Sequence, residues 1–142
     1  MKTLHILLAE DNAGDIYLVQ QALQEYGILH ELHIVRDGAE ALDFIAGMGK
    51  AGLAPCPDVV LLDLNLPKAD GADVLSEFRK HPECAATPVI VVSSSDARKD
   101  RVRMAELGVA HYFRKPSDFD AFLKLGAIVR DIVEAPVAAR NE

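Results

Sequence analysis

Short β-rich runs and longer amphipathic stretches alternate along the chain. LHILLA at 4 to 9 reads as a strand. Gly14 to Tyr26 carries Ile16, Val19, Ala22 and Leu23 at helical spacing, and Gly27 supplies a stop. ELHIV (31 to 35) alternates in polarity, as a half-buried strand does. Asp37 and Glu40 form an Asp-x-x-Glu start signal for a helix from Gly38 to about Ala46. GMGKAGLAPCP (47 to 57) is a Gly/Pro-rich loop. VVLLD (59 to 63) is the most apolar run, which predicts a central strand covered on both faces. Residues 72 to 80 are helical and end before Pro82. PVIVVSS (88 to 94) is a strand, ARKDRVRMAELG a helix closed by Gly108, and HYF (111 to 113) a short strand. The last helix runs from near Ser117 to about Glu134, before Pro136.

Five strands and five helices in strict alternation predict an α/β domain, a parallel sheet with helices on both faces. The 142 residues suit one domain. The stretch after Glu134 is too short to fold alone, so residues 1–136 are read as the domain and 137–142 as a tail. No apolar run approaches the ~20 residues needed to span a bilayer, so no membrane contact is expected. The N-terminal apolar stretch ends in acids rather than a small-residue cleavage site, which argues against a secretion signal. Net charge −7 disfavours a phosphate-backbone partner, so no nucleic-acid binding is expected. The one basic cluster, RKDRVR at 98 to 103, is read as a solvated helix face. Cys56 and Cys84 fit no metal or redox spacing and are read as free thiols in a reducing cytoplasm.

Parallel sheets place their ligands beyond the carboxyl ends of the strands. There the chain puts Glu10-Asp11, Asp63, Ser93-Ser94 and Lys115-Pro116. Clustered acids repel unless a cation balances them. Oxygen-only ligands suit Mg²⁺. Asp11 and Asp63 are assigned as ligands, Glu10 as a holder of coordinated water or of Asp11, and Asn65 as a backbone carbonyl facing the same ion. A carboxylate in such a place can act as a phosphoryl nucleophile, with Mg²⁺, Lys115 and Ser93 around the phosphoryl oxygens. The five histidines fall away from these strand ends and are read as structural or surface residues.

The stretches AEDN (9 to 12), VVLLDLNLPKADG (59 to 71), PVIVVSSS (88 to 95) and FRKPSD (113 to 118) resemble, in order, the receiver domains of two-component response regulators. The resemblance covers nearly the whole chain. It implies a flavodoxin-like doubly wound sheet of strand order 2-1-3-4-5. Asp63 matches the phosphoacceptor, Glu10 and Asp11 the acidic pair, and Asn65 the carbonyl ligand of Mg²⁺. Ser93 matches the hydroxyl that senses the phosphoryl group, and Lys115 the lysine of that family. Tyr112 matches an aromatic switch coupled to Ser93, and Pro116 implies a cis Lys-Pro bond. A sensor histidine kinase is the implied donor, and a histidine phosphotransfer protein an onward acceptor. Relay, phosphate sink and contact-driven effector are all compatible with these residues. The loop at 47 to 57 is longer than in minimal receivers. With DNAGD and DLNLPKADG it resembles the stand-alone regulators that pair with bacterial phytochrome-type histidine kinases.

Three other functions compete. A Mg²⁺-dependent aspartyl-phosphate phosphatase would place a second acid two residues after the nucleophile, where Asn65 stands. A flavodoxin-like carrier would want a Ser/Thr/Gly loop after the first strand, where EDNAGD repels phosphate. A phosphate-independent scaffold would not need the full set of acids, hydroxyl and lysine. The last helix carries more apolar residues than one face needs, which points to a homodimer surface, alone or with the preceding helix and strand.

Overall fold

The computed structural model describes residues 2–48 and 56–134. Most of the long loop, residues 49–55, lies outside them, as do the boundary placed at 136 and the tail at 137–142. The elements run β1 (Leu4–Ala9), α1 (Ala13–Glu25), β2 (His30–Val35), α2 (Gly38–Gly47), β3 (Val59–Leu62) and α3 (Gly71–Arg79). After a 3₁₀ turn (Pro82–Cys84) come β4 (Val89–Ser93), α4 (Arg98–Glu106), β5 (His111–Arg114) and α5 (Phe119–Glu134). The strands pair in parallel in the order β2-β1-β3-β4-β5, as the resemblance implied.

Every residue of β3 and of β4 is buried, so both central strands bury both faces. On one face Leu7, Ala9, Val60, Leu62 and Val91 meet α2 and α3 through Ile45, Leu75 and Phe78. On the other, Ile6, Leu8, Leu61 and Ile90 meet α1 and α5 through Val19, Leu23, Phe122 and Leu125. Each such Val, Leu, Ile or Phe side chain removed from water contributes about 1.5–3 kcal/mol.

Helix ends obey local chemistry. Asp37 accepts from the Glu40 N–H at 2.8 Å to start α2, and Glu40 accepts from the Arg36 N–H at 3.1 Å. Gly27 and Gly108 sit at φ 64° and 77°. Behind α1, the Ile28 N–H reaches the Leu23 carbonyl and the Gly27 N–H that of Gln24. Val109 and Gly108 repeat the pattern behind α4 with Met104 and Ala105, so both glycines stop their helices as the sequence predicts. Asp118, rather than Ser117, starts α5 by accepting from the Ala121 N–H at 2.9 Å.

Two expectations are corrected. Cys56 and Cys84 are not free: they form a disulfide, with their Cα atoms 5.7 Å apart. The chain entering β3 lies beside the turn that leads into β4, and the Thr87 hydroxyl donates to the Pro57 carbonyl there at 3.0 Å. A spacing of 28 residues says nothing about that proximity. The Lys115-Pro116 bond is not cis: the described residues contain no cis peptide. The trans form is the lower-energy one by ~0.5–1 kcal/mol even before proline. It accommodates the Lys115 N–H donating to the Ser93 carbonyl at 2.8 Å.

Candidate functional site at the carboxyl edge of the sheet

Strand ladders deliver the charged residues to one place. The Glu10 N–H donates to Val35 and the Asp63 N–H to Ala9, each at 3.0 Å, so both acids continue the β1 and β3 ladders by one residue. Ala9 pairs with Leu62, which sets Glu10 beside Asp63. Carboxylate oxygens of Glu10, Asp11 and Asp63 all lie within 4.8 Å of one another. Glu10 is 1% exposed and Asp63 5%, while Asp11 reaches solvent.

Lys115 is the counter-charge. Its Nζ lies 2.7 Å from Glu10 Oε1, 2.8 Å from Asp15 Oδ2 and 3.0 Å from Asp63 Oδ2. Burial disfavours its charged form, but hydrogen bonds to Asp15, Glu10 and Asp63 outweigh that and raise its pKa above the ordinary lysine value. It is therefore an ammonium at every working pH. For Glu10, burial wins. Its carboxyl is pushed up to about 7, with Asp63 adding repulsion and Lys115 opposing. One ammonium thus contacts Asp15, Asp63 and Glu10, with Asp11 beside them, which leaves an excess of negative charge even when Glu10 holds its proton. The donor set is all oxygen and partly open to solvent through Asp11, which fits a hard divalent cation such as Mg²⁺.

Ser93 closes the edge from β4. It is fully buried, and its Oγ accepts from the Ser95 N–H at 3.1 Å. Residues 6–126 match the family model described as the response regulator receiver domain. The chain belongs to that family.

Among the receiver's relatives, the response regulator Rcp1 of Synechocystis sp. is 40% identical over 120 residues, which span 84% of this chain and 82% of Rcp1. The solved structure of the phosphorylated cyanobacterial phytochrome response regulator RcpA superposes with a TM-score of 0.82 at 36% identity, covering 92% of this chain and 94% of RcpA. The Mn²⁺-bound form of Rcp1 gives 0.81 at 36% identity, covering 94% and 96%. This receiver is therefore a two-component signalling domain that resembles phytochrome response regulators.

The other residues singled out in the sequence surround this edge. The Asn65 N–H donates to Asp63 Oδ1 at 3.0 Å and orients that carboxylate, while the residue itself is exposed. Tyr112 stands about half-buried on β5, and its hydroxyl donates to the Ser95 carbonyl at 2.8 Å. The Arg101 guanidinium lies over the ring, 4.5 Å from its centre. Ser95 therefore takes Ser93 on its N–H and Tyr112 on its carbonyl. Pro116 is half-buried after Lys115. The basic run on α4 is drawn into local pairs: Arg101 with Asp96 at 2.7 Å and Arg103 with Asp70 at 3.2 Å.

Asp15 is the residue that sequence reasoning missed. Asn12 caps α1 by accepting from the Asp15 N–H at 2.9 Å, which holds Asp15 in the first turn beside Lys115. The Asn-x-x-Asp pattern at 12 to 15 carried that signal.

The loop after Asp63 is held by close packing. Lys68 adopts φ 71°, and the Gly38 N–H donates to the Pro67 carbonyl at 2.8 Å. A Cβ on Gly38 would come within 2.1 Å of Ala69 Cβ, so only glycine lets the α2 start seat this loop.

Proposed function

We propose that the domain accepts a phosphoryl group on Asp63 from the phosphohistidine of a sensor kinase. A carboxylate oxygen of Asp63 attacks phosphorus, the P–N bond breaks, and the kinase imidazole leaves with the electron pair. Asp63 is aimed by the Asn65 N–H and neutralised by Lys115, and that contact carries the reading. Glu10, Asp11 and Asp63, with the Asn65 carbonyl, are the residues that would hold Mg²⁺. When bound, Mg²⁺ supplies charge stabilisation to the phosphoryl oxygens. Lys115 and the Ser93 hydroxyl donate to the same oxygens.

Turning Ser93 toward an acyl phosphate breaks its bond to the Ser95 N–H. The Ser95 carbonyl that holds Tyr112 then shifts, and α4 and β5 present a changed surface. The domain assists only its own phosphorylation and dephosphorylation. Its donor is a phytochrome-type kinase, in line with the similarity to the phytochrome response regulator RcpA, and its setting is the cytoplasm, where such a kinase would present its phosphohistidine. A histidine phosphotransfer protein is the onward acceptor. A homodimer through α4, β5 and α5 fits the exposure of Val102 and Phe119. Asn65 has no titratable proton to transfer where a phosphatase would carry its acid, which disfavours that alternative.

The test is the intact mass of the full chain after incubation with acetyl phosphate, with and without Mg²⁺. One phosphoryl group is expected with Mg²⁺, none on Asp63→Asn, and an at least ten-fold slower gain on Lys115→Ala. No gain in folded protein under any condition would leave a phosphate-independent scaffold instead. The choice of donor is read by comparing transfer from a phytochrome-type kinase with transfer from an unrelated one.

A further inference from the structure

The opposite edge of the sheet carries a second cluster of ligand atoms. The histidines lie at no carboxyl strand end, but the parallel register of β1 and β2 brings His5 beside Glu31, and Leu7 beside His33. Residues 5, 31 and 33 therefore share one pleat face, the one that α2 covers. Ligand atoms of His5, Glu31 and His33 lie within 4.8 Å of one another. His5 Nδ1 is 3.2 Å from His33 Nε2 and 3.3 Å from Glu31 Oε2.

Those spacings admit a shared ion as well as a shared proton. Two imidazole nitrogens facing each other share at most one proton, and 3.2 Å is the long limit for that bond. A tetrahedral ion with bonds of about 2.0–2.1 Å has ligand atoms roughly 3.3–3.4 Å apart. The observed distances match two edges of that tetrahedron.

We propose that His5, Glu31 and His33 form a binding site for a borderline transition-metal ion, Zn²⁺ above all. Two neutral imidazoles and one carboxylate suit such an ion and do not suit Mg²⁺, which prefers oxygen. Three protein ligands leave a fourth position for water. Glu31 is exposed and gives the ion a path from solvent, while the Phe44 ring, 5.7 Å from that of His33, walls the inner side. Asp58 is not a competing ligand, because its carboxylate already accepts from the His5 N–H at 2.8 Å and pairs with Lys2 at 3.2 Å. The ion clasps the edge strand β2 to β1. From His5 to Glu10 along β1 is roughly 17 Å, so the two metal sites are separate.

The experiment titrates Zn²⁺ against a chromophoric chelator with the full chain in saturating Mg²⁺. Reductant is left out, so that Cys56 and Cys84 stay paired. One Zn²⁺ per chain is expected, with affinity lowered at least ten-fold in His33→Gln and in Glu31→Gln. Glu31 is surface-exposed, so its variant keeps the fold, and Mg²⁺-dependent phosphorylation should be unchanged in it. Wild-type affinity in both variants would overturn the proposal. So would Zn²⁺ that is lost on Glu10→Gln instead, which would place it at the acidic edge. An absence of Zn²⁺ binding would overturn it too and leave only a hydrogen-bonded cluster.

Discussion

Helices α4 and α5 flank β5 but are held by different forces. α5 buries Phe122, Leu125, Gly126 and Val129. It approaches α1 so closely that a Cβ on Gly126 would fall 2.2 Å from the Ala22 carbonyl oxygen. α4 buries Met104 alone. Its other ties are polar and near the surface: Ser95 with Asp100, Arg101 with Asp96 and with the Tyr112 ring, and Arg103 with Asp70. Exposed ion pairs contribute about 0–1 kcal/mol each, whereas a buried aromatic contributes several. The helix beside Ser93 and Tyr112 is therefore the one that a small energy input can move, and α5 is the frame against which it moves.

Truncating Phe122 to Ala should have the largest effect, a loss of about 3–5 kcal/mol in global stability by denaturant unfolding. Gly126→Ala should come second at about 1–3 kcal/mol, because the new methyl meets the Ala22 backbone, which cannot swing aside, as well as the Tyr26 ring. Met104→Ala separates the two helices most clearly. If α4 is held as described, amide exchange across α4 should quicken far more than exchange across α5. Equal quickening in both would erase the contrast.

A pH effect comes next, and it belongs to the acidic edge. The folded pKa of Glu10 is raised from 4.5 to about 7, so the folded chain binds its proton more tightly than the unfolded chain does. That contribution is complete below about pH 4.5 and is lost as pH rises through 7. In metal-free buffer the wild type should lose about 1–3 kcal/mol relative to Glu10→Gln between these limits. A flat difference would contradict the burial of that carboxyl. Smallest of all, Tyr112→Phe should cost under about 1 kcal/mol in stability, since it removes one hydrogen bond. It should nonetheless blunt the response of α4 to phosphorylation.

The alternation of elements and the acid-lysine set were legible because each rests on local pattern: buried central strands are continuously apolar, and functional residues sit at strand ends. Glycine stops and the Asp37 cap were legible for the same reason. The Cys56–Cys84 pair and the cluster of His5, Glu31 and His33 were not, because both depend on lateral register between segments distant in sequence. Asp15 fell between these cases. Its capping signal was local, but its partner Lys115 lies 100 residues away. Pro116 shows the limit of transferring a conformation by resemblance, since a proline permits a cis bond without requiring one.

The most direct test of a mobile α4 against a fixed α5 is hydrogen exchange, read by mass spectrometry on the full chain. Mg²⁺ alone is compared with Mg²⁺ plus beryllofluoride as phosphoryl mimic. Altered exchange is predicted in residues 93–114, spanning the end of β4, α4 and β5, with α1 and α5 unchanged. A change spread equally over α5, or none in α4, would contradict it.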